Sequence, residues 1–342
     1  MTRPTVHDVA RVAGVSLATV DRVLNARPGV RQATVSKVLE AVEQIGYSRD
    51  IAAANLARQR GYTFAFVLPE PTNSFLIGLH EAIRDAMPTA MADRVSIRVC
   101  TPTALDPHAV ARTVVELQDQ AVDGIAIMSA ETPQVRDSLI RAAHAGIRTV
   151  AMISDLPSTA RSHFIGIDGV AAGRTAGRLM GQFIGRPSGN ILTVAGSMMV
   201  RDHLERRLGF DQVIGEDFPG LQTLASLEGR DDAEAVYQVV SNAFRKSRDI
   251  VGVYCFGGGA SGLLRALSDL DVGREVVVIA HELTPPTRTA LLEGRLDAVI
   301  SQDVSHVVRS AIRVLRADCD GREIIASQER IRIEIMLKEN LI

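Results

Sequence analysis

The sequence predicts a small N-terminal all-α domain followed by a larger α/β body built from two parallel-sheet lobes. Within the first 60 residues, apolar side chains recur at helical spacing, whereas from Tyr62 onward short apolar runs alternate with amphipathic segments. The first 60 residues are basic, with nine Lys and Arg against five Asp and Glu, while the remainder carries 29 against 35. With 342 residues, 46% of them hydrophobic, the chain can fold more than one domain.

Two short helices and a tight turn are predicted at the start of the chain. Thr5 and Asp8 have the spacing of a capping box, which marks a helix start. Gly14 stands where a helix would end in a left-handed residue, and Ser16 would cap the second helix. Packing of the second helix on the first through Val20 would leave its other face exposed.

The exposed face of the second helix is short enough to enter a DNA major groove. It carries Leu17, Ala18, Asp21 and Arg22. A third helix over residues 32–45 would close the core with a stripe formed by Val35, Val38, Leu39, Val42 and Ile45. A small structural helical bundle without a nucleic-acid role is the alternative. The basic charge of residues 1–60, next to an acidic remainder of the chain, instead favours contact of these residues with DNA phosphates.

Buried strands and covering helices are predicted to alternate through the rest of the chain. The predicted strands are 64–68, 124–128, 149–153, 191–195, 251–256, 276–280 and 298–301. The predicted helices are near 75–91, 107–120, 134–145, 169–184, 202–214, 232–246, 260–270, 285–294 and 303–317. Such alternation is typical of parallel sheets covered on both faces, and this many strands favours two lobes. Residues 331–336 alternate like an edge strand.

Several classes of protein are disfavoured by what the sequence lacks. It has no run of eighteen apolar residues and no secretory signal, so we expect a cytoplasmic protein without a membrane partner. Cys100, Cys255 and Cys319 are far apart and show no metal-ligand spacing. We therefore expect no metal, no disulfide and no cofactor.

The segment VARVAGVSLATVDRVLN, residues 9–25, closely resembles the N-terminal signature of the lactose-repressor-type (LacI family) transcription regulators. The segment GYSRDIAAANLA, residues 46–57, resembles the hinge helix of that family. The resemblance implies a helix-turn-helix domain over 1–48, a hinge helix and linker over 49–61, and an effector-binding and dimerisation domain over 62–342. We expect its first lobe at about 62–156 and 285–315, and its second at 157–284 and 316–342.

The resemblance implies DNA contacts from the helix-turn-helix domain and from the hinge helix. The implied residues are Thr5, Ser16, Leu17, Ala18, Thr19, Asp21, Arg22, Asn25, Asn55 and Leu56. Leu56 falls where the family places a minor-groove wedge, although it would otherwise be an apolar linker residue. Arg22 could bond a guanine or only a phosphate. Asp21 departs from the usual small hydroxyl residue, and could accept a bond from cytosine or hold Arg22 in place.

The body resembles the periplasmic sugar-binding fold (periplasmic-binding-protein-like type I) from about Thr63 onward, which places a ligand at the carboxyl ends of the strands. Asn73 would bond ligand hydroxyls, while Phe75 would either stack on a sugar ring or belong to the core. Asp155 would accept hydroxyl hydrogen bonds or be an ordinary turn residue.

An arginine that clamps the ligand in many relatives is expected at the position of Leu204, so we expect this clamp to be missing and Arg201 and His203 to replace it. The glycine run 257–259 lacks the ending of a phosphate loop and should bring backbone close to the ligand. The remaining implied contacts are His281, Glu282 and Gln302; His281 could instead be a surface histidine.

Together these features predict a transcription regulator, a repressor by expectation, and not an enzyme. As a homodimer it would bind an inverted-repeat operator in double-stranded DNA, under the control of a small carbohydrate or polyol bound between the lobes. A sugar-binding module with a protein-docking head and a sugar-processing enzyme using Asp155, His203, His281 or Glu282 are the alternatives.

Overall fold

The computed structural model describes residues 4–25, 27–47, 61–103, 105–247, 249–273 and 275–341. The chain divides into two compact units, Met1–Arg60 and Gly61–Ile342. Residues 48–60, which contain Asn55, Leu56 and most of the predicted hinge helix, lie outside the described residues.

The first unit contains three helices in its described part: α1 (Val6–Ala13), α2 (Leu17–Leu24) and α3 (Gln32–Gln44). The predicted capping box is confirmed, because the Asp8 amide donates to Thr5 Oγ1 and the Thr5 amide donates to Asp8 Oδ2. Gly14 ends α1 with φ 63°, and Ser16 caps α2 by accepting from the Thr19 amide.

The core of this unit is formed by Val9, Val20, Val38 and Ala41. The expectation that Leu39 belongs to this core is wrong, since its side chain is 53% exposed. Leu39 is turned about 100° from Val38 around the helix axis, and Ala41 takes the inward position one turn later. The three-helix core is therefore smaller than the sequence indicates.

The second unit contains two sheets. The first sheet has five strands in the order β2-β1-β3-β4-β5: β1 (Tyr62–Val67), β2 (Val95–Cys100), β3 (Gly124–Ile127), β4 (Arg148–Met152) and β5 (His163–Ile165). The second has the order β12-β11-β10-β9-β6-β7, with β8 beside β6: β6 (Gly189–Ala195), β7 (Leu221–Thr223), β8 (Leu227–Glu228), β9 (Ile250–Cys255), β10 (Val277–His281), β11 (Ala298–Ser301) and β12 (Glu334–Met336).

All strand pairs in these sheets are parallel except the pair of β11 with the C-terminal edge strand β12. The predicted parallel sheets and the predicted C-terminal edge strand are therefore both confirmed. Strand β2 was not predicted: its residues form no continuous apolar run like those of the other predicted strands of this sheet, and of its four apolar residues only Val95 is buried. Strands β5, β7 and β8 contain three residues or fewer, too few to show a sequence pattern.

The helices of this unit follow their strands as the alternation predicts. They are α4 (Ser74–Ala92), α5 (Pro107–Gln118), α6 (Pro133–His144), α7 (Gly169–Ile184), α8 (Arg201–Asp217), α9 (Ala233–Lys246), α10 (Ala260–Asp269), α11 (Pro285–Leu292) and α12 (Val304–Asp320), followed by a 3-10 turn at Lys338–Asn340. Within the described ranges, none of these helices has the length and apolar character needed to cross a membrane.

The expected lobe boundaries need correction. We placed residues 285–315 in the first lobe, but β11 pairs with β10 in the second sheet and α11 contacts β11. Conversely, β5 pairs with β4, so the chain remains in the first lobe through Ile165. Only α12 returns to the first sheet, where it packs on α4 and β4. Hydrogen bonding between strands distant in sequence decides this assignment.

Candidate functional site

A cavity of about 270 Å³ lies at the carboxyl ends of the strands, lined by residues from both sheets' loops. Unusual backbone conformations are concentrated there. Five residues other than glycine with positive φ line this cavity: Leu105, Ile153, Arg230, Asp231 and Glu282. Each such residue costs of the order of 1–3 kcal/mol and persists where surrounding structure imposes it. The strain therefore coincides with the cavity wall.

A buried ionic centre stands in the wall that the second lobe contributes. Arg206, on α8, is only 3% exposed, and its Nη2 lies 3.3 Å from Asp202 Oδ2 and 3.6 Å from Glu282 Oε1. Its Nη1 donates to the Phe256 carbonyl over 2.9 Å. Gln302 Nε2 donates to Glu282 Oε1 over 2.9 Å. The Arg206 guanidinium is thus fixed between two carboxyl groups, those of Asp202 and Glu282.

Close packing of α7 against α8 determines where Arg206 lies. A Cβ atom on Gly173 of α7 would stand 2.0 Å from the Arg206 carbonyl oxygen, and one on Gly209 of α8 would stand 2.0 Å from the Val170 carbonyl oxygen. The two helices therefore approach with their backbones in contact, which only glycine allows at these positions. This packing brings Asp202, His203 and Arg206 to the cavity.

Burial shifts the pKa values of two neighbouring groups in opposite directions. The pKa of the Glu282 carboxyl is raised by burial and by repulsion from Asp202, against the lowering effect of Arg206 and Gln302. The pKa of His281 is held well below 6.5 by burial and then by the positive charge of Arg206 and the proximity of His203. His281 is therefore neutral near pH 7, and its Nε2 shares a 2.8 Å hydrogen bond with the Tyr254 hydroxyl.

Several buried polar atoms of this wall have no hydrogen-bond partner among the described residues. They are Asp202 Oδ1, Arg206 Nε and His281 Nδ1, and next to the wall Gln302 Oε1, whose residue does not itself line the cavity. Buried polar groups in folded proteins are nearly always paired, so a cluster of unpaired ones needs an explanation. Their grouping around one ionic centre indicates that this wall is suited to polar contacts from a bound molecule.

The structure places five of the eight predicted effector-binding residues on the cavity wall: Asn73, Phe75, His203, His281 and Glu282. Asn73 also caps α4, because its Oδ1 accepts from the Leu76 amide over 2.9 Å. Phe75 is half-buried, and it both lines the cavity and packs against the core, so the two interpretations of this residue are compatible.

Asp155, Arg201 and Gln302 do not line the cavity within the described part of the chain. Asp155 accepts two hydrogen bonds from Arg161, of 2.5 and 2.8 Å, because the turn at Ile153 presents Ser154 to the cavity instead. Arg201 pairs with Glu205 one helical turn further on, at 2.7 Å. Gln302 contacts Glu282 instead, through the hydrogen bond from its Nε2.

An arginine does line the cavity, although not at the position where the resemblance places it. Leu204 is exposed, whereas Arg206 supplies the buried guanidinium two positions later. Sequence reasoning missed both Asp202 and Arg206. The available signal was their opposite charge at a spacing of four residues, on the side of the helix that continues with Gly209, Phe210 and Val213. That pattern is usually an exposed ion pair, and only the packing of α7 makes it buried.

The first unit presents the face of α2 that the sequence predicts. Leu17 is 42% exposed, and Ala18 and Arg22 are exposed beside it. Asp21 accepts from Asn25 Nδ2 over 2.8 Å and pairs with Arg27 at 3.2 Å. Both of these contacts join Asp21 to residues that follow α2 and not to Arg22.

The hydroxyls of Ser16 and Thr19 also bond to each other, at 2.9 Å. Of the remaining predicted DNA-binding residues, Thr5 is engaged in the capping box of α1. Asn55 and Leu56 belong to the segment that is not described.

Comparison with known proteins gives each unit a counterpart. Residues 5–50 match the family "Bacterial regulatory proteins, lacI family", and residues 64–323 match the family "Periplasmic binding protein domain". The HTH-type transcriptional regulator RegA of Clostridium saccharobutylicum is 27% identical over 292 residues, covering 80% of this chain and 81% of RegA. The ribose operon repressor of Escherichia coli K12 is 25% identical over 298 residues, covering 83% of this chain and 87% of the repressor.

Among solved structures, the glucose-galactose binding protein GanP from Geobacillus stearothermophilus is similar with a TM-score of 0.75. It is 17% identical, and the similarity covers 82% of this chain and 99% of GanP, which shows that the fold is shared. With residues 5–50 matched by one family and residues 64–323 by the other, the chain belongs to the family "Periplasmic binding protein domain" and carries the DNA-binding domain of the lacI family, as a DNA-binding transcription regulator.

Proposed function

We propose that this regulator binds an inverted-repeat operator as a homodimer, within the cytoplasm, and that a small carbohydrate or polyol bound in the cavity controls its affinity for DNA. We propose further that the cavity binds this effector without transforming it. The names of the full-length relatives, a transcriptional regulator and an operon repressor, support binding rather than catalysis.

The exposed face of α2 supports the DNA-binding part of the proposal. Leu17 and Ala18 offer apolar contacts to thymine methyl groups, and Arg22 can donate to guanine or phosphate. One such helix makes few contacts, so two copies that contact half-sites about one DNA turn apart are needed for tight binding. This need for two copies supports the proposed dimer and the proposed symmetric operator.

The ionic centre of Arg206, Asp202 and Glu282 is the observation that carries the effector part. Carboxylate oxygens accept hydrogen bonds from vicinal hydroxyls, and a guanidinium donates to ring or hydroxyl oxygens. Phe75 on the opposite wall offers an apolar face to a sugar ring. A ribose operon repressor and a glucose-galactose binding protein among the similar proteins support a carbohydrate.

Contacts between the lobes provide a route for control. The Asp202 amide donates to Ser154 Oγ of the first lobe over 3.4 Å. Asn73 Nδ2 of the first lobe lies 2.8 Å from the position that a Cβ on Gly258 of the second would occupy. An effector that contacts both walls would stabilise one angle between the lobes and, through it, one DNA-binding state of the dimer.

Selection of bound sequences from a random duplex library, at two salt concentrations and with a panel of sugars and polyols, tests this proposal. We expect an inverted repeat whose binding weakens steeply with salt and responds to one compound. Arg22→Ala should relax sequence preference, whereas Lys37→Ala, an exposed residue of α3, removes the same charge and serves as the control. Failure of the wild-type chain to enrich any sequence would contradict the proposal.

A further inference from the structure

The cavity contains a carboxylate in a position where many proteins bind a phosphate. Helix α10 begins after the glycine run 257–259 without a side-chain cap at Gly259, and Ala260 and Ser261 of its first turn line the cavity together with these glycines. Such an arrangement attracts anions. Here Asp231 already supplies the anion, because the Gly258 amide donates to Asp231 Oδ1 over 2.5 Å.

The local backbone holds Asp231 in this place. Arg230 and Asp231 have φ values of 51° and 57°, a costly conformation for two successive residues that are not glycine. A Cβ on Gly196 would stand 2.0 Å from Asp231 Oδ1, and one on Gly258 would stand 2.9 Å from it. Two glycines and two strained residues therefore make room for this carboxylate at the cavity wall.

The other charged side chains that line the cavity also disfavour a bound anion. The carboxylates that line it belong to Asp106, Asp202, Asp231 and Glu282, and the guanidiniums to Arg206 and Arg230. Arg206 is already fixed between Asp202 and Glu282. Carboxylates therefore outnumber guanidiniums, and the more deeply buried guanidinium is paired within the protein.

We propose that Asp231 is a specificity determinant that occupies the Gly258 amide of this loop and makes the cavity accept uncharged or cationic polyhydroxy compounds in preference to their phosphate esters and carboxylic acids. This inference rests on the proposed binding of a small carbohydrate or polyol, and narrows its chemical class. A phosphate group placed at the loop would have to displace a bonded carboxylate and would face its charge.

Two variants of Asp231 separate the effect of its negative charge from the effect of its hydrogen bond with the Gly258 amide. Asp231→Asn keeps an oxygen that can accept from the Gly258 amide and removes the charge, and Asn tolerates positive φ. Asp231→Gly removes both the charge and the acceptor at a φ that suits glycine. Asp232→Asn is the control, because Asp232 does not line the cavity and caps α9, a role that Asn performs equally well.

The full-length variants would be titrated with inorganic phosphate against sodium chloride of equal ionic strength, while thermal unfolding is followed. We expect phosphate to raise the Tm of Asp231→Gly most and that of Asp231→Asn less, with no rise for the wild type or Asp232→Asn. An equal response of the wild type and Asp231→Gly would overturn the inference. So would the absence of any response in both Asp231 variants once circular dichroism shows that they are folded.

Calorimetry with glucose, glucosamine, glucose 6-phosphate and glucuronate, and with ribose and ribose 5-phosphate, tests the consequence for sugars. The wild type should bind the uncharged or amino compound of a set at least tenfold more tightly than its phosphate or acid, and Asp231→Asn should reduce that ratio. Tighter binding of a phosphate or acid by the wild type overturns this inference and leaves the carbohydrate proposal intact. If no compound binds, the carbohydrate proposal is weakened, while the phosphate titration still decides the role of Asp231.

Discussion

The two walls of the cavity differ in chemistry although both are built from loops that follow parallel strands. Among the described lining residues, the first lobe contributes one charged side chain, Asp106, together with hydroxyl and apolar groups such as Phe75 and Met128. The second lobe contributes Asp202, Arg206, Arg230, Asp231 and Glu282. From this difference we expect the second lobe to fix the proposed effector through directed polar contacts and the first lobe to cover it.

Removal of the central guanidinium should have the largest effect. Arg206→Ala leaves Asp202 and Glu282 as buried carboxylates without their cationic partner, which should lower the free energy of unfolding by about 3–5 kcal/mol. Urea denaturation measures this loss. Arg174→Ala removes an exposed arginine of neighbouring α7 and should stay within about 0.5 kcal/mol. Equal losses for both variants would show that the ionic centre does not support the second lobe's wall.

A substitution in the packing of α7 against α8, behind the cavity wall of the second lobe, should have the next largest effect on stability. Gly173→Ala puts a Cβ where the Arg206 carbonyl oxygen now lies, so α7 and α8 must separate, at a cost of roughly 1–3 kcal/mol. Effector binding should weaken too, because α8 carries Asp202 and Arg206. Gly215→Ala lies on the same helix α8 with open space around it, and should be neutral or stabilising. Denaturation and effector titration of both variants measure the contrast.

His281, which is buried in the cavity wall of the second lobe, should make the free energy of unfolding depend on pH. Because the pKa of His281 is well below 6.5 in the folded protein, the unfolded chain binds more protons on acidification, and stability falls as the pH drops below about 6.5. Between pH 7.5 and 5.5 this contribution amounts to roughly 1.4 kcal/mol. Glu282 acts in the opposite sense at lower pH, since its raised pKa favours the folded state as the pH falls toward 4.5.

Denaturation at pH 7.5 and 5.5 checks this prediction. His281→Gln should lose less stability on acidification than the wild type, and its amide oxygen can still accept from the Tyr254 hydroxyl. His144→Gln, which replaces an exposed histidine on α6, controls for the loss of one imidazole. An unchanged difference between the two pH values in His281→Gln would assign the dependence to another group.

The smallest effect is expected from the apolar wall. Phe75→Leu preserves an apolar side chain at a half-buried position, so the unfolding free energy should change by less than about 1.5 kcal/mol. If the ring stacks on the effector, affinity should fall by about 1 kcal/mol, close to fivefold. A stability loss without any change in affinity would assign Phe75 to the core and weaken the idea of a covering first lobe.

The helical unit was largely predictable because its signals are local. A capping box, a left-handed glycine and apolar residues within one or two turns define its helices, and the structure contains them where the sequence places them. Leu39 is the exception, since the inward face of α3 depends on which side α1 and α2 cover. In the larger unit, the strands buried on both faces and the long helices were equally predictable from their alternation.

The cavity was predictable only in part. The sequence alone determined the fold class, the family resemblance and the cavity-lining residues of loops that follow strands, such as Asn73 and Glu282, because the carboxyl ends of parallel strands meet at one edge. The tertiary structure decided the rest. The packing of α7 on α8 buries Arg206 and leaves Leu204 exposed, Arg161 engages Asp155, and the loop at Gly258 receives Asp231. These outcomes depend on contacts between segments from six to about thirty residues apart, which no local pattern of charge or hydrophobicity encodes.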